Sequence, residues 1–196
     1  MQGTKAIFAG GYTQDYEAKS TVFSLQVADD GSLLVMEETP MPTARGDVAA
    51  VASETGFGMV VGGFTHENDF CDPLATTEQY VDGVWTETTA SLGLPRSDKA
   101  LVELEGHIFA LGGERQIEGV CDIQQLPETW EKTVAVDDVE LYDAEKDTWV
   151  PLIELPSHRF RFGAIGFDNV EAVYAFGGQL AYDPTCDCFP TTDEVC

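Results

Sequence analysis

Three of the five cysteines share one address. Cys71, Cys121 and Cys186 each stand eight residues beyond the second glycine of a Gly-Gly pair, and each is followed by aspartate; Cys188 lies two residues past Cys186. Thiols recurring at one place in a set of loops have three chemistries open to them. They can pair as disulfides that stiffen irregular segments in an oxidising compartment. They can ligate a metal, or they can remain reduced, copied along with the repeat. Cys186-Asp187-Cys188 brings two thiols together, yet a single CxC lacks the double pair that defines a zinc site, so no metal ligand is expected. Cys71, Cys121, Cys186 and Cys188 are the disulfide candidates. Five is an odd number, so at least one thiol is left over. Bridged loops would place the chain outside the cell or in a lumen and reduced ones in the cytoplasm, and the sequence leaves both open.

Other reactive patterns are missing from the sequence. There is no GxSxG, no P-loop, no DxDxDG-type calcium loop, and His66-Glu67 is not followed by the second histidine of a zincin helix. His107 and His158 fall in other parts of the chain and pair with nothing nearby in sequence. No catalytic residue and no cofactor is therefore expected. The remaining polar candidates are arginines: Arg45, Arg96 and Arg159 each follow a proline-containing stretch and precede an apolar strand, and Arg161 follows two residues after Arg159.

The elements that must position these residues are strands. Gly-Gly pairs ending at Gly11, Gly63, Gly113 and Gly178 each close an apolar run (KAIFAGG, GMVVGG, IFALGG, VYAFGG), at a spacing of roughly fifty to sixty-five residues typical of a stacked supersecondary unit. The apolar runs lack alternation, as in strands covered on both faces. Before three of them lie segments rich in small residues, 47–53, 99–105 and 162–168, suited to strands that converge on an axis. Further strands around Val22, Tyr80 and Val139 alternate in the manner of half-exposed β-structure. Trp85 and Trp149 belong to outer strands and are expected to pack between units. No segment carries a helical stripe.

Gly-Gly pair, tyrosine-bearing strand, tryptophan, and an arginine ahead of the next apolar strand: this order resembles the kelch repeat over essentially the whole chain. The resemblance implies an all-β propeller of four-stranded antiparallel blades. Counting strands outward from the axis gives a partial blade at 1–45, full blades at 46–96 and 97–160, and a partial blade at 161–196, in which TTDEVC begins a third strand by analogy with TTEQYV at 76–81. Propellers close with four to eight blades, so the expectation is a slice of a larger ring. Kelch-like propellers include protein-binding adaptors as well as copper oxidases, sugar isomerases and iron-dependent specifier proteins. With no copper or iron constellation in view, a non-catalytic interaction scaffold is expected, with a propeller enzyme (carbohydrate-active, isomerase or oxidase type) or a structural subunit of a larger complex as alternatives.

Function should then sit in loops, because the strands are committed to packing. The expected binding face combines the loops 64–75, 114–134 and 179–190 with Arg45, Arg96, Arg159 and Arg161. The longest loop contributes Val120, Leu126 and Trp130. Charge narrows the partner class: 35 acidic against 10 basic residues give a formal net charge of −25, which repels nucleic-acid phosphates and anionic membranes and favours basic partners or cations. No run of about eighteen apolar residues could span a membrane.

Overall fold

A computed structural model describes residues 5–52, 57–65, 73–117, 133–193 and 196. Among the described residues thirteen strands are assembled into several antiparallel sheets, and the one helical element is a 3-10 turn at Asp168–Val170. The first sheet orders β1 (Lys5–Ala9), β2 (Val22–Val27) and β3 (Leu33–Glu37) side by side. The second runs β4 (Ala49–Ala52), β5 (Gly58–Val61), β6 (Thr76–Val81), β7 (Val84–Ser91), and the third runs β8 (Ala100–Leu104), β9 (His107–Gln116), β10 (Thr133–Asp143), β11 (Thr148–Pro151). The last pairs β12 (Gly163–Phe167) with β13 (Ala172–Phe176). Every neighbour in a sheet is also a neighbour in sequence, so each sheet is a simple meander.

The small-residue segments become β4, β8 and β12, and the Gly-Gly runs become β1, β5, β9 and β13. β8 packs beside both β4 and β12, and β11 packs against β7. Three apolar clusters fill the gaps between successive sheets. Val22, Met41, Val60 and Trp85 lie between the first and second; Ala49, Met59, Val61, Ile108, Tyr142 and Trp149 lie between the second and third; Ala100, Val102 and Leu111 with Phe162 and Ala164 lie between the third and fourth. Trp85 and Trp149 thus pack between sheets. Trp149 also donates its indole N–H to the Thr77 hydroxyl of the neighbouring sheet at 2.9 Å.

The glycine pair that ends β5 is required by a close approach. Gly62 sits at φ +65°, and a Cβ there would stand 2.3 Å from the Arg96 carbonyl oxygen. Gly63 sits at φ +89°, and a Cβ there would stand 2.3 Å from the Gly46 carbonyl. The incoming loops that carry the arginines lie directly on the end of β5, where only glycine leaves room.

Two expected boundaries are corrected. β9 runs past its glycine pair to Gln116, and β10 starts at Thr133, with Glu114, Arg115 and Gln116 opposite Ala135, Val134 and Thr133. The ends of the expected 114–134 loop are therefore a paired ladder. At the far end of the chain, Ala175 and Cys196 exchange backbone hydrogen bonds of 2.9 and 3.1 Å. Counting back three residues from each Gly-Gly pair, Ala175 corresponds to Val60 and Ala110, whose partners are Glu78 and Glu140. Cys196 therefore takes the glutamate's place in the ladder, a place that the expected alignment with TTEQYV gives to Asp193, so the pairing is displaced by three residues.

Candidate functional site

The arginines that the sequence nominated for a binding face are mostly interior. Arg45, Arg96 and Arg159 are each 0% exposed, and the reason is the loop each one anchors. Arg45 donates to the carbonyls of Gly62 (3.0 Å) and Thr76 (3.2 Å) and reaches Glu78 Oε1 at 2.7 Å. Arg96 donates to Glu140 Oε1 at 2.6 Å and to the Ala110 carbonyl at 3.3 Å. Arg159 donates to the Gly177 carbonyl (3.0 Å), the Ser157 hydroxyl (2.7 Å) and Cys196 Sγ (3.0 Å). Each guanidinium ties the loop entering a sheet to the strands of that sheet. Burial lowers the pKa of Arg45 and Arg96, and the paired glutamates oppose that shift. These three are internal braces and present no charge to a ligand.

Arg161 is different: its side chain is 46% exposed. Two residues after each brace comes a residue with positive φ, namely Asp47 (48°), Asp98 (47°) and Arg161 (51°). The Asp98 N–H donates to the Asp47 carbonyl at 3.0 Å and the Arg161 N–H to the Asp98 carbonyl at 2.9 Å, so the chain of three runs from sheet to sheet. Arg161 Nε meets Asp98 Oδ2 at 2.8 Å, and its Nη1 reaches Gln179 Oε1 at 3.4 Å. Tyr12 donates its hydroxyl to Asp47 Oδ2 at 3.1 Å. Glu114, only 5% exposed, accepts from the Ser97 hydroxyl (3.4 Å) and the Thr133 hydroxyl (2.7 Å). Ser97 and Glu114 are also bridged through their backbones, as Gly46 is to Phe64 and Phe160 to Gln179.

This arrangement gathers one polar end on the molecule. The segments leaving Phe64, Glu114 and Gln179 are the expected binding loops, and these bridges bring their first residues to the arginine-bearing loops. Loss of water around Asp98, reinforced by the charge of Glu114, pushes the Asp98 carboxyl up to about 6. Burial raises Asp47 too, with the Asp98 charge adding to it. Tyr12 is held well above the ordinary phenol range by burial and by Asp47. Beneath the cluster Lys99 is 6% exposed and donates to the carbonyls of Val61 (2.6 Å) and Arg96 (3.0 Å). Burial, then the charges of Arg96 and Arg45, lower its pKa. Among the described residues no group of three or more His, Cys, Asp or Glu side chains is placed to hold a metal ion.

Asp47, Asp98, Glu114 and Tyr12 were not singled out from the sequence. The signal was present: Arg45-Gly-Asp47, Arg96-Ser-Asp98 and Arg159-Phe-Arg161 repeat one spacing, with a charge reversal in the third copy. Cys186 and Cys188 form a disulfide in the segment after Gln179. Cys196 has a free thiol. His107 and His158 are exposed. Cys71, Cys121, His66, Val120, Leu126 and Trp130 lie outside the described residues. A separate cleft of about 370 Å³ between β1 and the second sheet is lined mainly by apolar side chains, among them Ile7, Ala50, Met59 and Trp85.

Compared with protein-family models the chain matches none, and no curated protein matches it.

Proposed function

We propose that this chain is a segment of a kelch-type β-propeller that works as a non-catalytic interaction scaffold, binding a basic protein surface at its polar end. Radial stacking is supported by β4, β8 and β12 lying side by side while apolar clusters fill each gap between successive sheets. The observation that carries the functional reading is the division of labour among the repeated polar residues. Arg45, Arg96 and Arg159 are spent on internal bracing, whereas Asp47, Asp98 and Arg161 converge with Tyr12, Glu114 and Gln179 beside the long loops. Loops built on a braced framework are where binding residues collect. The net charge of −25 selects a basic partner and speeds its approach.

The test is a panel of fluorescent peptides of equal length, Lys/Arg-rich, neutral and Asp/Glu-rich, titrated with the chain and with Asp47→Asn/Asp98→Asn. Asparagine keeps the positive φ accessible. Preference for the basic peptides, weakened several-fold in the double variant and by added salt, supports the proposal. Equal binding of basic and acidic peptides contradicts it, as does unchanged binding by the variant.

A further inference from the structure

We propose that the Cys186–Cys188 disulfide is a thiol–disulfide exchange site whose substrates are small cationic thiols and their disulfides. The bridge spans a single intervening residue, Asp187, with Cα atoms 5.2 Å apart, and both cysteines are exposed. A bridge over so short a loop removes little freedom from the unfolded chain compared with one spanning tens of residues. The hairpin that holds it is fixed by other contacts. The Asp183 N–H donates to the Cys188 carbonyl at 2.9 Å, and the Cys186 N–H donates to the Asp183 carbonyl at 3.3 Å. The Asp183 carboxylate accepts from the Thr185 N–H (2.8 Å) and hydroxyl (2.7 Å). Tyr182 packs edge-on to Phe189, which in turn packs on Phe160. The fold therefore does not depend on the bridge, which can open and reclose in place. Exposed disulfides of this kind are the labile ones.

Charge sets the substrate class. Asp187 lies between the two sulfurs in sequence, Asp183 braces the hairpin, and the molecule as a whole is strongly anionic. An anionic thiol is repelled from such a site and an aminothiol is drawn to it. The thiolate of an aminothiol attacks one cysteine sulfur; the S–S bond breaks, a mixed disulfide forms, and the other cysteine leaves as a thiolate that takes a proton from water. A second aminothiol thiolate attacks the mixed disulfide, freeing the first cysteine and producing the aminothiol's disulfide. Two electrons pass from two aminothiols to the protein, and the small disulfide drives the reverse.

The test exposes the native chain to 2-aminoethanethiol or to thioglycolate, followed by alkylation and peptide mass spectrometry. Each rate is divided by that of the same thiol on a neutral peptide disulfide. The expected result is a normalised preference for the aminothiol of about five-fold or more at low ionic strength. That preference should collapse in 1 M salt and in Asp183→Asn/Asp187→Asn. Circular dichroism and Tm stay unchanged on reduction, and cystamine restores the bridge. Cys188→Ser treated with cystamine accumulates a stable single adduct at Cys186, since the resolving thiol is gone. Equal normalised rates for the two thiols overturn the proposal. So does resistance of Cys186 and Cys188 to thiol that opens the reference peptide, or unfolding on reduction.

Discussion

At the scale of single residues, the repeated arginine is a brace. An ion pair such as Arg96 with Glu140 is desolvated on both sides, so removing one member strands the other charge in the interior. Arg96→Ala is expected to destabilise the chain by about 3–5 kcal/mol in chemical denaturation. Arg96→Lys should recover only part of that loss, because one ammonium cannot span both Glu140 and the Ala110 carbonyl as the guanidinium fork does. A wild-type denaturation midpoint for Arg96→Ala would mean the brace carries no load. Asp98 gives a prediction of the opposite kind. Its carboxyl is raised to about 6 from an unfolded value of about 3.9, so the native state holds the proton more tightly. Its contribution to stability is complete below about pH 4 and is lost as pH rises through about 6. Asp98→Asn should remove that limb of the stability–pH curve and stabilise the chain at pH 7 by on the order of 1 kcal/mol. An unchanged pH profile between 4 and 7 would contradict the placement of Asp98 beside Glu114.

At the scale of elements, the strands were legible because their signals are local. Apolar runs closed by Gly-Gly, and the small-residue runs ahead of three of them, each reported on backbone that is tightly approached at Gly62, Gly63, Gly112 and Gly113. The burial of Arg45, Arg96 and Arg159 was not legible, since an arginine's sequence neighbours do not reveal that Glu78 or Glu140 waits on a strand more than thirty residues away. The displaced pairing of Cys196 has a similar cause: TTDEVC resembles TTEQYV in its first two residues, but strand register is set by ladder hydrogen bonds and by which face is covered. The Asp98 cluster is illegible for a related reason: an acidic residue reads as surface charge until the fold brings Arg161 and Glu114 to it from other segments. Gly62 offers the element-scale test. Gly62→Ala adds a Cβ against the Arg96 carbonyl at a left-handed backbone angle, and should lower stability by more than about 1 kcal/mol. Gly31, with positive φ and open space around it, is the matched control, and Gly31→Ala should cost less. Equal losses at the two sites would show that crowding by the incoming loop is unimportant.

At the scale of the whole molecule, the outward faces of the first and last sheets carry exposed apolar side chains, Phe8 and Phe23 at one end and Ile165, Phe167, Tyr174 and Phe176 at the other. Comparable faces are covered wherever two of these sheets meet, which agrees with the proposed propeller stacking. The polar end around Asp98 and Arg161 is set apart from these packing faces. The β9–β10 ladder makes that separation testable. Because Gln116 pairs with Thr133, a two-residue Asn-Gly turn replacing 117–132 closes the hairpin without moving either strand. Whether the polar end binds a basic partner is read most directly from binding of the Lys/Arg-rich peptides by this shortened chain, compared with the intact one at matched Tm. The expected result is at least a ten-fold loss of affinity, about 1.4 kcal/mol, with the thermal transition preserved. Undiminished binding by the shortened chain would contradict it.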